Sequence, residues 1–223
     1  AWFEDRVKLD FALYYYDYKN YQVFALQNQP DSLPLPQLLN AQDVESRGFE
    51  AELKTEPLEG VRWNVYVGWL DAKFGTFTTT TFRLAQSRIL CGGQQFCSIP
   101  VNHDYTGNRL PAAPPFSFAT NLEVDIPLGR LGTVVPRIDA SYKTRVYFDH
   151  QGDDALSQAP FWLVNARVSY TVPGDQISVA AWVKNLTNEA YLVQAFDLRQ
   201  VADTIIDSYG EPRTFGMTVN FNF

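Results

Sequence analysis

The chain has no long apolar run. Its uninterrupted hydrophobic stretches are a few residues each, far short of the ~20 that a membrane-spanning helix needs. Charged residues are 19% of the total, below the usual quarter. Net charge is −7, which argues against nucleic acid as a partner. There are two histidines, His103 and His150, in different stretches of sequence. Neither stands beside a recognisable Ser or Cys nucleophile motif, so no catalytic constellation emerges and an enzyme is not expected. No internal repeat, low-complexity tract or linker divides the chain, which reads as one domain piece. No leader is visible at Ala1, so an exported protein is expected to have lost it or to carry it upstream.

Aromatic residues are abundant: twelve Tyr, sixteen Phe and five Trp, 15% in all. Their placement matters more than their number. From Phe215 every second residue is apolar: Phe215, Met217, Val219, Phe221, Phe223. Between them lie Gly216, Thr218, Asn220 and Asn222. Side chains alternate faces along a strand, so one face is apolar and the other wet. Seven further segments alternate in the same way: Val7–Tyr15, Glu45–Thr55, Val61–Trp69, Phe116–Ile126, Val134–Val146, Trp162–Val172 and Ile177–Val183. Their polar faces carry full charges, not only Ser and Thr.

The connections alternate in length. Glu56–Gly60, Pro127–Gly132 and Val172–Asp175 are short. Gln27–Gln42, Gly75–Pro115, Phe148–Pro160 and Leu192–Gly210 are long. Short turns on one side and long loops on the other suit an antiparallel transmembrane β-barrel better than a soluble sandwich. The expected fold class is therefore all-β, with about eight strands crossing the bilayer. Counting hairpins backward from the last strand puts both ends of the chain on the short-turn side, the periplasmic side in an outer membrane.

Several segments resemble the C-terminal part of TonB-dependent outer-membrane receptors. They are Arg6–Gln22, with its aromatic Asp-Tyr-Lys ending, and Glu45–Phe74, with a Ser-x-Gly-aromatic-Glu strand, turn and return strand. The Leu-Pro-x-x-Pro entry in Asn108–Val124, the Asn-Leu-x-Asn run in Trp182–Tyr191 and the last strand, Gly210–Phe223, complete the set. The resemblance implies a barrel of about 22 strands, of which residues 1–223 supply the C-terminal portion, without the plug domain and the earlier strands. It also implies a Gram-negative cell outer membrane, outer-membrane lipid around the wall, and a plug and TonB complex that supply energy. The imported ligand would be scarce: a siderophore, cobalamin or saccharide. Phe223 would then be the terminal aromatic read by the barrel-assembly machinery. The alternative is a stand-alone eight-stranded barrel with a structural or adhesive role.

Candidate sites are few. Cys91 and Cys97 flank a short loop with two glycines, so closure to a disulfide is feasible in an oxidising compartment. Two free thiols or a metal pair are the alternatives; a metal site usually needs four ligands, and His103 alone does not complete one. The two histidines are expected as solvated loop residues. Asp149, Asp153 and Asp154 form an acidic cluster whose spacing matches no calcium-loop pattern. Tyr14, Tyr15, Tyr16, Tyr18 and Tyr21 read first as an interfacial girdle and second as a ligand platform. Arg137, Asp139, Lys143, Arg145 and Arg167 are expected to pair across strands with Glu50, Glu52, Glu123 and Asp125. No cofactor is expected. Ligand contacts are sought in Thr76–Pro115 and Leu192–Tyr209.

Overall fold

The computed structural model describes residues 6–27, 35–86, 89–94, 97–199 and 204–222. In chain order the strands are β1 (Val7–Gln27), β2 (Leu35–Leu58), β3 (Val61–Phe74), β4 (Thr78–Ala85) and β5 (Cys97–Asp104). Next come β6 (Phe116–Val124), β7 (Ile126–Pro127), β8 (Thr133–Lys143), β9 (Val146–Tyr147) and β10 (Ser157–Gln158). The last five are β11 (Phe161–Thr171), β12 (Ile177–Lys184), β13 (Leu192–Asp197), β14 (Ile205–Tyr209) and β15 (Thr214–Phe221). The wall runs β1-β2-β3-β6-β8-β11-β12-β15, antiparallel throughout, with β7 also pairing β8. Three two-stranded ladders stand off it: β4 with β5, β9 with β10 and β13 with β14. Among the described residues β1 and β15 do not pair, so the sheet is an open piece of barrel wall.

The register turns the alternation into two continuous faces. Leu9 lies opposite Leu53, Leu53 opposite Val65, Val65 opposite Thr120, Thr120 opposite Ala140 and Ala140 opposite Val164. The rows on either side repeat this apolar content. These side chains are exposed in the isolated chain: Leu13 is 74% and Phe215 82% exposed. That exposure marks the face that meets hydrocarbon. The other face is polar: Asn64 donates to Asn121 Oδ1 at 3.0 Å, and Asp139 and Asn165 follow in register.

Inner-face aromatic rings are seated over glycines. A Cβ on Gly48 would meet the Tyr14 hydroxyl at 2.6 Å, one on Gly68 the Tyr66 hydroxyl at 2.9 Å, and one on Gly216 the Trp182 ring at 2.5 Å. Glycine is what lets these rings lie against the backbone.

The ends of the strands depart from strict alternation. Of the expected long loop Gln27–Gln42, Gln27 and residues 35–42 are strand, because β1 and β2 stay paired as far as Gln27 and Leu35; residues 28–34 lie outside the described residues. Among the described residues, β2 on the far side of Val44 has no strand partner but β1, with Gln42 and Asp43 bonded to the Gly75–Thr76 backbone just past β3, and a proline is tolerated on such an edge. The expected strand Val134–Val146 stops at Lys143, and Val146–Tyr147 turns off to pair with Ser157–Gln158. Asn20 has φ 57°, and beyond it Tyr21 and Val23 join a buried cluster with Ala41, Val44, Phe74, Phe77 and Tyr105.

The Asn-Leu-x-Asn run is a turn lock. Asn185, with φ 49°, is buried at 5% exposure. Its Nδ2 donates to the carbonyls of Glu189 at 2.9 Å and Glu211 at 3.1 Å, and its Oδ1 accepts from the Glu189 amide at 2.8 Å. Asn188 Oδ1 accepts from the Arg213 amide at 3.1 Å. Together they fasten the end of β12 to the approach to β15.

Two outcomes follow. Val65→Arg, on the lipid face, should cost roughly 2–4 kcal/mol in a folding assay, and Asn64→Arg far less. Asn185→Ala should cost about 1–3 kcal/mol, because it removes the three hydrogen bonds made by the buried Asn185 side-chain amide. Urea titration of the protein folded into bilayers, followed by heat-modifiability, measures both.

Candidate binding region at the long-loop end

The buried cluster is where three of the long connections meet. Phe74 closes β3, and Phe77 packs against it with ring centroids 5.0 Å apart. Tyr105 follows β5 and packs on Phe77 at 5.5 Å. His150, from the connection between β9 and β10, stands edge-on to Tyr105 at 4.8 Å. His103 stacks on Tyr105 at 5.8 Å with planes 7° apart. Asn108 ties the same parts together: its Nδ2 donates to the carbonyls of His150 at 3.1 Å and Gln151 at 2.7 Å. The expectation of two separate, solvated histidines is corrected here. His150 is buried at 7% exposure. The ladder between β4 and β5 brings His103 back to the point where His150 arrives. Alternation in sequence could not show this, because the contact is made outside the lipid-facing strands.

An ionic lock joins the third connection. Arg199, just past β13, reaches Asp153 at 2.7 Å and Asp197 at 2.8 Å. Leu192 N donates to Gln158 Oε1 at 2.6 Å, holding the base of that hairpin to β10. The acidic cluster is thereby divided among partners. Asp153 caps the turn at Ala155 and pairs with Arg199. Asp154 faces Arg145 at 3.3 Å and Tyr147 at 3.1 Å. Asp149 Oδ1 accepts from the Gln151 amide at 3.0 Å, while its Oδ2 is buried with no partner. Among the described residues no group of three or more His, Cys, Asp or Glu is arranged to hold a metal.

Burial sets the protonation of this cluster. It pushes the Asp149 carboxyl up to about 6, helped by nearby Asp197 and Asp153 and opposed by the Gln151 amide. It pulls His150 down to about 4, with His103 adding to the effect. Tyr105 is raised to about 12, again chiefly by burial. Asp197 is lowered by its hydrogen bond to Arg199.

The tyrosines divide by face. Tyr15 lies with the lipid-facing residues, whereas Tyr14, Tyr16 and Tyr18 turn inward as a ladder with centroids 5.6 and 5.7 Å apart. Tyr21 stands beside Phe74 at 6.4 Å. Most of the set therefore belongs to the polar wall and the buried cluster, not to a girdle.

The inner-wall charges pair differently from the expected scheme. Arg62 is the hub, bonded at 2.6 Å to both Glu123 and Asp125. Arg137 meets Glu123 across strands at 3.5 Å, but meets Asp139 along its own strand at 2.6 Å. Glu52 likewise pairs along its strand, with Lys54 at 2.9 Å. Glu50 lies beside Tyr66. Arg145 leaves the wall for Asp154, and Arg167 donates to Ser169 at 3.0 Å. Lys143 sits in register between Ser117 and Phe161. Side chains two apart on one face are close enough to compete with the opposite strand, which the expected pairing neglected.

Cys91 and Cys97 lie with Cα atoms 5.3 Å apart and their sulfurs in bonding contact. Phe223 lies outside the described residues. The sequence pattern does not single out Phe77, Tyr105, Asn108, Arg62 or Arg199 as site residues; of these, Arg62 and Asn108 lie within resembling segments.

Residues 1–186 match the family model described as TonB dependent receptor-like, beta-barrel. The chain belongs to the TonB-dependent receptor β-barrel family. Solved structures agree on the fold. The ferric yersiniabactin uptake receptor FyuA from Yersinia pestis matches with TM-score 0.72 and 19% identity, over 98% of this chain and 28% of that one. The ferric preacinetobactin receptor BauA from Acinetobacter baumannii gives 0.65 and 20%, over 98% and 27%. The copper transporter OprC gives 0.65 and 15%, over 98% and 29%. The chain thus spans under a third of the length of these structures. Residues 1–186 fall in the receptor barrel family, and the described strands form an open antiparallel piece of such a wall. The family is one of transport receptors rather than enzymes.

In this receptor segment the two shifted groups oppose each other. His150 contributes stability above its ordinary value of 6.5 that is lost as pH falls toward about 4, since only the unfolded loop takes up the proton easily. Asp149 contributes stability at low pH that is lost as pH rises through about 6. Asp149→Asn should leave loops that loosen on acidification between pH 6.5 and 4. His150→Phe should leave loops that tighten over the same range. Hydrogen exchange of residues 104–108 and 148–152, corrected for intrinsic rates, should show the two opposite slopes.

Proposed function

We propose that this chain is the C-terminal wall and mouth segment of an energised outer-membrane receptor. The receptor imports a scarce ligand such as a siderophore, cobalamin or saccharide. One observation carries the reading. An apolar outer face and a charged inner face run across the wall, while among the described residues β1 pairs only with β2 and β15 only with β12, leaving one edge of each open. Open edges are costly in lipid, so further strands complete the barrel. A charged inner face suits a wide wet lumen with a plug in it, rather than a filled eight-stranded bore. The ligand is bound by plug and loops, and the loop cluster around Tyr105 and His150 shapes the mouth. Energy reaches the plug from TonB. Both ends of the segment lie in the periplasm, and the long loops face outward.

Uptake tests the coupling. Cells grown in scarcity of metal, vitamin and sugar in turn should lose uptake of one labelled nutrient when the receptor gene is deleted. Deleting TonB should abolish that same uptake. Loss with the receptor but not with TonB would make this a passive barrel.

Two residue proposals accompany this. Cys91 and Cys97 form a disulfide that stiffens an outward loop. Thiol alkylation and intact-mass analysis should label neither residue before reduction and both after it. Phe223 serves as the assembly signal; deleting it should reduce the folded, heat-modifiable protein recovered from outer membranes.

A further inference from the structure

Counter-charges are spread unevenly over the inner wall. On the side of β1, β2, β3 and β6 the cations are met by acids of the same stretch of wall. Lys8 holds Asp10 at 3.1 Å, Lys54 holds Glu52 at 2.9 Å, and Arg62 holds both Glu123 and Asp125 at 2.6 Å. Glu50 shares that face, beside Tyr66. On the side of β8, β11, β12 and β15 the balance reverses. β11, β12 and β15 contain neither Asp nor Glu. β8 contains one acid, Asp139, and Arg137 occupies it at 2.6 Å.

Lys143, Arg167 and Lys184 remain. All lie on the polar face: Lys143 is in register with Ser117, Arg167 with Arg137 and Trp182, and Lys184 with Thr214. Among the described residues none of them makes an ion pair; Arg167 Nε donates to Ser169 Oγ at 3.0 Å, and Lys184 Nζ lies over the Trp182 ring, 5.8 Å from its centroid. The residue opposite Arg167 in the ladder is itself an arginine, and like charges so placed repel. The acids of the adjoining connections belong elsewhere. Asp125 and Asp154 are taken by Arg62 and Arg145. Asp175 sits in the short turn between β11 and β12, while Glu189 and Glu211 stand at the Asn185 turn, beyond the strand ends.

A cation in open water needs no partner. In a filled lumen it does, because losing hydration without gaining a counter-charge is costly. We propose that the plug of this receptor turns an acidic surface toward β8, β11, β12 and β15, where its carboxylates pair with Lys143, Arg167 and Lys184. The opposite side of the wall, whose cations already have acids and which has Glu50 besides, would repel such a surface. Charge thereby gives the plug one preferred rotation inside the barrel, as complementary charges fix register at other interfaces. The proposal rests on the reading of the chain as the wall of a plugged receptor.

The test uses the full-length receptor in detergent micelles. A carbodiimide joins a lysine amine to a carboxylate only where the two already touch, and peptide mass spectrometry locates the new amide. Lys143 and Lys184 should be joined to Asp or Glu of the plug, whereas Lys19, on the outer face, should not. Arg167→Glu sets a carboxylate against carboxylates. It should speed protease cleavage of the plug in folded, heat-modifiable receptor about tenfold, since such cleavage follows the population of the loosened state. Arg167→Lys should restore the wild-type rate. Failure of Lys143 and Lys184 to couple to the plug, or equal cleavage of the plug in wild type and Arg167→Glu, would overturn the proposal and leave the receptor reading standing. An N-terminal region cleaved as fast in the folded receptor as in urea would overturn both, because the lumen would then hold no plug.

Discussion

Hydrocarbon offers a peptide group nothing to bond with. Every amide and carbonyl of a spanning segment must find its partner within the protein, and the rest of this structure depends on that demand. It explains why no helix-length apolar run is needed: each strand bonds to its neighbours instead. It makes the register strict, since a slip of one residue would turn every charged side chain toward lipid. It also gives weight to β1 and β15, which do not pair with each other among the described residues and each leave one edge open.

The constraint ends where the lipid ends. Beyond Val44 on β2 and Phe74 on β3 the chain meets water, and ordinary packing rules return. A small buried cluster of Phe74, Phe77, Tyr105 and His150 then does for the loops what lipid and ladder do for the wall. The two zones are joined by single strands that cross the boundary. Phe74 is at once the last residue of β3 and part of the loop core, so the geometry of the mouth is inherited from the register of the sheet.

Legibility follows the same boundary. Val61–Trp69 could be read from sequence because lipid enforces one apolar side chain in every two residues. The same period of two separates Tyr15 from Tyr14, Tyr16 and Tyr18, so the set is not one girdle. The strand at residues 35–42 and the burial of His150 escape the pattern because both depend on a cluster built from loops distant in sequence, with Val23 and Ala41 packing on Phe74 and Tyr105 rather than on lipid. Arg62 lies on the polar face of the alternating segment Val61–Trp69, but nothing in a linear pattern says which of several nearby acids an arginine will choose. Asn185 was visible as part of a motif long before its hydrogen bonds explained why that motif exists.

The glycines beneath Tyr14, Tyr66 and Trp182 have a mechanical consequence. Each inner ring rests in a hollow left by a missing side chain, so the bulkiest groups on the wall project least. The calibre of the bore is set by Gly48, Gly68 and Gly216 as much as by the rings themselves. A methyl group at Gly68 or Gly216 would prop its ring outward by about its own thickness, and anything sliding past would meet a step where there is now a smooth surface.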